Sequence, residues 1–224
     1  VDLWWVDTAR LPDPVEGHLA LLNAVERARA ERFALPALRQ RYILAHGALR
    51  RILSAYLGQP PQDLQFTRGP WGKPELSGYP LRFNLSYAEN LMLLAITQHR
   101  ALGVDLERIR PVPEMEDIAA LWFSALERDV WQRLPAEQKL HAFFHAWTRK
   151  EAFLKASGRG LSQPLTSFSV ALEPDHPAAL LHSPPELGDA WTLLDLPAAD
   201  GLAAALVIEG GAPELAHFHG LPNP

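Results

Sequence analysis

Residues 103–107 read Gly-Val-Asp-Leu-Glu, and residues 139–161 read KLHAFFHAWTRKEAFLKASGRGL. The first stretch alternates apolar and acidic residues, which is the period of a strand. Asp105 and Glu107 then share one face, about 6.6 Å apart along the chain, while Val104 and Leu106 take the other. The second stretch has helical spacing, with Leu140, Phe143, Phe144, Trp147 and Leu154 on one apolar stripe. Continuing that stripe by four residues from Trp147 reaches Glu151, and by four more Lys155. A polar strand and a long amphipathic helix, flanked by further strands and helices, predict an α+β protein.

Outward from this pair, helices are expected over 16–33, 38–57, 114–133 and 137–157. Strands are expected at 3–6, near Leu64 and Phe66, and at 81–98 as two strands about the turn Ala88-Glu89-Asn90. TSFSVALE, AWTLLDL and AAALVIEG read as later strands, and the Pro-rich tail after Gly210 as surface loop. Each half mixes a helical block with a small antiparallel sheet, which divides the chain into two similar halves, 1–100 and 101–224. Trp122 reads as core packing, whereas an exposed Trp131 would point to a partner.

The 224 residues are 48% hydrophobic and 21% charged, an ordinary globular composition. With 21 Lys+Arg against 26 Asp+Glu the net charge is -5, which argues against a nucleic-acid partner. The absence of Cys excludes disulfides, a thiolate nucleophile and Cys-bound zinc. No stretch approaches the ~20 apolar residues needed to span a bilayer. The opening VDLWWVDTARLPD lacks the basic start of a signal peptide, so a cytoplasmic protein with no membrane partner is expected.

Two carboxylates side by side repel unless a proton, a cation or solvent relieves them. An isolated D-x-E is usually an exposed strand face, and Glu151 with Lys155 can be a surface pair worth about 0.3–0.5 kcal/mol. With Glu151 added, however, Asp105 and Glu107 form the hard-oxygen set that Mg²⁺ prefers, completed by phosphate oxygens. Spacing alone leaves both readings open. Lys73 in a Gly-Lys-Pro turn, Ser86 in Phe83-Asn84-Leu85-Ser86-Tyr87, and Arg29, Arg32 and Arg41 on the early helices supply donors for an anionic, multi-phosphate ligand.

GVDLE, then WTRKEAFLKASGRGL about forty residues on, resembles the signature pair of the 4′-phosphopantetheinyl transferases. GKP, FNLS and the F-S-x-x-E from Phe123 to Glu127 are also similar to that family. The order and spacing of the five resemble its longer, single-chain surfactin-synthetase-activating type, over roughly residues 25–170. The resemblance implies a pseudo-twofold α+β fold that binds coenzyme A between its halves. It implies transfer of phosphopantetheine to a serine of an apo acyl- or peptidyl-carrier protein, releasing adenosine 3′,5′-bisphosphate.

By the same resemblance Asp105, Glu107 and Glu151 ligate Mg²⁺ or Mn²⁺, and Glu151 is the general base. Lys155 stabilises the leaving group, Lys73 and Ser86 contact the diphosphate, and Arg41, with Arg29 second to it, binds the 3′-phosphate. Tyr87 stands where the family usually has His, and a phenol carries no positive charge at neutral pH. Acidic carriers would dock through local basic groups, the loop Arg108 to Glu116, and the helix of Trp122 and Phe123. A monomer suffices for such a site. A Mg²⁺-dependent phosphohydrolase and a non-catalytic carrier-binding relative are the alternatives.

Overall fold

In the computed structural model, which describes residues 1–173, 176–188 and 190–222, the chain begins with β1 (Asp2–Asp7), α1 (Val15–Leu21), α2 (Ala24–Glu31) and α3 (Pro36–Leu57). A short hairpin, β2 (Phe66–Arg68) and β3 (Pro74–Leu76), precedes β4 (Leu81–Ala88), β5 (Leu91–Gln98) and β6 (Leu102–Arg108). Then come α4 (Met115–Trp122), α5 (Ala125–Arg133), α6 (Ala136–Ser157), β7 (Ser169–Val170) and β8 (Leu180–His182). The chain closes with β9 (Trp191–Asp195), β10 (Leu202–Glu209) and β11 (Ala216–His219).

Strand alternation explains how these elements stack. In β1, Trp4 and Val6 face a core shared with Ala45, Leu49, Ile52 and Leu53 of α3. Leu3 and Trp5 face the opposite way, into a core shared with Val104, Leu106, Leu206 and Ile208. In β10, Ala203, Ala205 and Val207 meet Phe153 and Ala156 of α6. The result is four layers: α3, a sheet of order β11-β1-β5-β4, a sheet of order β6-β10-β9, and α6. The central strands are buried on both faces, which is why LAAALVIE and LMLLAI are nearly continuous apolar runs.

The two outer helices match. Each spans 22 residues and ends on a left-handed glycine, Gly58 at φ 63° and Gly158 at φ 73°. A carbonyl at each helix end is met by that glycine's N–H, and glycine adopts this φ without a Cβ penalty. The layer order is one that a twofold between the sheets would generate.

Two expected helices are each split. The 16–33 segment breaks at Leu22-Asn23, and the 114–133 segment at Phe123-Ser124. Both breaks are capping boxes: the Asn23 side chain accepts from Glu26 N–H and Glu26 accepts from Asn23 N–H, and Ser124 and Glu127 do the same. Apolar periodicity runs straight through such a break, because the buried Leu22 and Phe123 keep the stripe going.

The tail after Gly210 is not only loop. β11 pairs in parallel with β1, and Phe218 stacks on Trp4 at 4.6 Å. TSFSVALE contributes only the two-residue β7. Trp122 is exposed and stacks on Trp147 at 4.7 Å, against the core packing expected of it, while Trp131 is buried and donates to Glu116. Among the described residues, no helix is long and apolar enough to cross a membrane.

Candidate active site

The seam between the two sheets runs between β4 and β6. Residues Asn84 and Ser86 share one face of β4, opposite Phe83 and Leu85, which pack on the α3 core. Asn84 Oδ1 accepts from Val104 N–H at 2.9 Å, and Ser86 Oγ donates to Asp105 Oδ1 at 2.8 Å. The polar face of FNLS thus binds the acidic strand.

On β6, Gly103, Asp105 and Glu107 face α6. A Cβ on Gly103 would overlap the Ala152 carbonyl oxygen and the Ala156 nitrogen, so only glycine allows the helix this close. That approach brings Lys155 Nζ within 2.6 Å of Asp105 Oδ1 and 3.1 Å of Ser86 Oγ. Lys155 therefore pairs with the strand rather than with Glu151. Asp105 is buried, and its Oδ2 has no hydrogen-bond partner.

Glu107 and Glu151 are half-buried beside it. Burial, then the negative charge of Asp105, raises the Glu107 carboxyl to about 7 against the opposing pull of Lys155. The same causes raise Glu151. The three carboxylates feel one another, yet among the described residues no three acidic or histidine side chains close into a ligand cage. Carboxylate oxygens, one of them buried and orphaned, suit a hard cation whose remaining positions are filled by water or phosphate.

Two cavities meet at this seam. One, of about 230 Å³, is lined by Lys73, Asn84, Glu151 and Lys155. The other, of about 420 Å³, is lined by Arg29, Tyr42, His46, Arg68, Asn84 and Tyr87. Gly72, Pro74 and Asn84 line both, so the basic and acidic ends share a wall. In the basic cavity His46 stacks on Tyr42 at 3.8 Å, and burial lowers its pKa to about 4. The guanidinium of Arg29 lies 5.7 Å from the Tyr42 ring.

Arg41 is elsewhere. It lines a different cavity with Asp13, Gln40 and Asn90, because positions 37, 41 and 44 share one face of α3 and positions 42, 46 and 49 another. Lys73 does line the acidic-end cavity, but its ammonium is occupied by main-chain carbonyls. Arg68, Tyr42 and His46 were not singled out in the sequence. They sit in a hairpin and a helix with no motif of their own, and only the fold gathers them.

The whole chain resembles known proteins closely enough to decide its family. It is 39% identical to the 4′-phosphopantetheinyl transferase HetI of Nostoc sp., over 94% of this chain and 88% of that one. The chain belongs to the 4′-phosphopantetheinyl transferase superfamily. The family model of that description matches residues 101–207, which contain the acidic strand and α6. The chain is also 29% identical to the 4′-phosphopantetheinyl transferase Sfp of Bacillus subtilis, over 71% of this chain and 70% of that one. Among solved structures, the holo-[acyl-carrier-protein] synthase of Thermotoga maritima matches at 23% identity and a TM-score of 0.39, over 50% of this chain and 64% of that one. In this phosphopantetheinyl transferase, then, the residues gathered at the β4–β6 seam include those of GVDLE, FNLS and WTRKEAFLK.

Proposed function

We propose that this transferase moves 4′-phosphopantetheine from coenzyme A to a serine of an apo acyl- or peptidyl-carrier protein, as a cytoplasmic monomer. The observation that carries this reading is the wall shared by the arginine-lined cavity and the cavity of Glu151 and Lys155. A ligand with phosphates at one end and a pyrophosphate in its middle can span both. Arg29 and Arg68 would take the 3′-phosphate, with the Tyr87 hydroxyl as a neutral donor. Both halves of one chain build the site, so no second copy is required.

Asp105, Glu107 and Glu151 would hold Mg²⁺ or Mn²⁺, which when bound neutralises charge on the pyrophosphate. The orphaned Asp105 Oδ2 supports this assignment. The carrier serine oxygen attacks the β-phosphorus, the bond to the adenosine-side phosphate breaks, and adenosine 3′,5′-bisphosphate leaves. Glu151, on the same helix as Lys155, would accept the serine proton, directly or through water. Lys155, held against Asp105 and Ser86, would direct its remaining N–H at the departing oxygens.

The bisphosphate is expected to form only with an apo carrier that keeps its acceptor serine, as read by chromatography. Equal release with a serine-to-alanine carrier would make the enzyme a hydrolase.

Glu107 gives the metal a pH dependence. Its carboxyl must lose a proton to ligate, and burial holds that proton on up to about pH 7. Below pH 7, apparent Mg²⁺ affinity therefore falls by up to about tenfold per pH unit, and above it levels off. The rise in Tm on adding Mg²⁺ is expected to be larger at pH 8 than at pH 6. Glu107→Gln should flatten that difference, and a larger rise at pH 6 would refute the assignment.

For the carrier, the exposed apolar side chains Leu121 and Trp122 of α4 and Leu126 of α5, on either side of the α4–α5 junction, would supply the docking contact. An apolar anchor with a polar rim is the usual form of a docking site. Leu121→Asp is expected to raise the KM for carrier by about 10–100-fold with the KM for coenzyme A unchanged, since a docking anchor carries about 2 kcal/mol. Equal effects on both substrates would move the docking surface elsewhere.

A further inference from the structure

We propose that Lys73 is a positioning residue, clasping the β2–β3 turn to the end of α6 and the start of β6 so that Lys155 meets Asp105. The inference rests on the transferase reading for its kinetic arm alone. Lys73 Nζ donates to the Leu102 carbonyl at 2.7 Å and to the Lys155 carbonyl at 2.6 Å, and lies 3.5 Å from that of Ala156. Leu102 opens β6, three residues before Asp105, and the Lys155 carbonyl belongs to the very residue that pairs with Asp105.

A helix leaves its last carbonyls without intrahelical donors, and its C-terminal end attracts a cation. In α6, Gly158 N–H serves the Leu154 carbonyl, and Lys73 serves that of Lys155 from another part of the chain. An ammonium has three donors and no acceptor, so it can join a strand and a helix at one point. Its stem passes Gly158, where a Cβ would lie 3.8 Å from Lys73 Cδ.

The turn itself is built to deliver this group. Gly69 N–H donates to the Lys73 carbonyl at 2.9 Å, Gly72 takes φ 87°, and Pro74 starts β3. The Gly-Lys-Pro element is therefore a bracket across the cleft. Gly72 and Pro74 form the wall between the two cavities, and the lysine fixes that wall to the catalytic helix. A lysine bound in this way is not free to follow the diphosphate.

Two measurements separate clasp from ligand. The first uses the wild-type protein: acylation of its lysines with a water-soluble amine reagent, read by peptide mass spectrometry with and without coenzyme A. Lys73 is expected to label at least about tenfold more slowly than Lys139 in the free protein, and no differently with coenzyme A. Labelling at the rate of Lys139, with protection only when coenzyme A is added, would overturn the clasp whatever reaction the enzyme catalyses.

The second uses Lys73→Met, which keeps the stem and removes the donors, and Lys73→Gln, which keeps an N–H donor. Coenzyme A binding is measured by calorimetry and transfer by steady-state kinetics. The clasp predicts that kcat falls about 10–100-fold in Lys73→Met, with coenzyme A affinity within about threefold, and that Lys73→Gln recovers part of the rate. A loss confined to coenzyme A affinity, or no loss in either, overturns it. If both variants fail to fold, the labelling result alone decides.

Discussion

Replacing Glu151 with glutamine is expected to lower kcat by about 10²–10⁴-fold while coenzyme A affinity stays within about threefold. The amide has the shape of the carboxylate but cannot accept the serine proton. Glu151 lies on the face of α6 turned to Asp105, where burial and that neighbour's negative charge raise its pKa while Lys155 opposes them. Excess Mg²⁺ should not restore the rate, because the missing function is proton acceptance. Kinetics at saturating Mg²⁺ with parallel calorimetry check this. Recovery of the rate at high Mg²⁺ would reduce Glu151 to a metal ligand, and a loss of coenzyme A affinity alone would make it a binding group.

Gly103→Ala is the second large effect, and it acts through the backbone. The added methyl meets main-chain atoms of Ala152, Lys155 and Ala156, which are held in α6 and cannot turn aside as a flexible side chain could. Overpacking of this kind costs about 1–3 kcal/mol when side chains absorb it, and about 3 kcal/mol or more is expected here. For a chain of this size that corresponds to a Tm lower by roughly 6–12 °C. Any fold that survives must move α6 away from β6, lengthening the 2.6 Å contact between Lys155 and Asp105 and lowering kcat. Gly211→Ala, with nothing within 4 Å of its Cβ, is the control and should leave Tm unchanged. Equal Tm values for the two variants, by calorimetry, would contradict the close-approach account of GVDLE.

Gly103 also shows what a sequence can display. The alternation of GVDLE and the stripe of α6 placed Asp105 and Glu107 on one face and Glu151 and Lys155 on one helix, because strand and helix periods are local properties. The layer order follows from strands apolar on both faces, such as β10. Nothing local told that Lys155 would pair with Asp105 rather than Glu151, since that choice depends on how closely the helix approaches the strand.

Arg41 illustrates the other limit. It is one residue from Tyr42, yet a helix turns about 100° between neighbours, and this puts the two in different cavities. A motif aligned to a helix does not by itself say which face of that helix a position takes. Lys73 was legible as a cation in a rigid turn, but its partners are carbonyls about thirty and eighty residues away. The capping boxes at Asn23 and Ser124 were readable locally as N-x-x-E and S-x-x-E, and were obscured by apolar stripes that run through them.

The most direct test of the transferase assignment is the intact mass of a purified apo carrier protein after incubation with this enzyme, coenzyme A and Mg²⁺. The carrier mass should rise by one phosphopantetheine, and the rise should vanish with EDTA or when the carrier's acceptor serine is alanine. An unchanged mass across acyl- and peptidyl-carrier proteins, with coenzyme A bound and Mg²⁺ present, would contradict the proposed reaction.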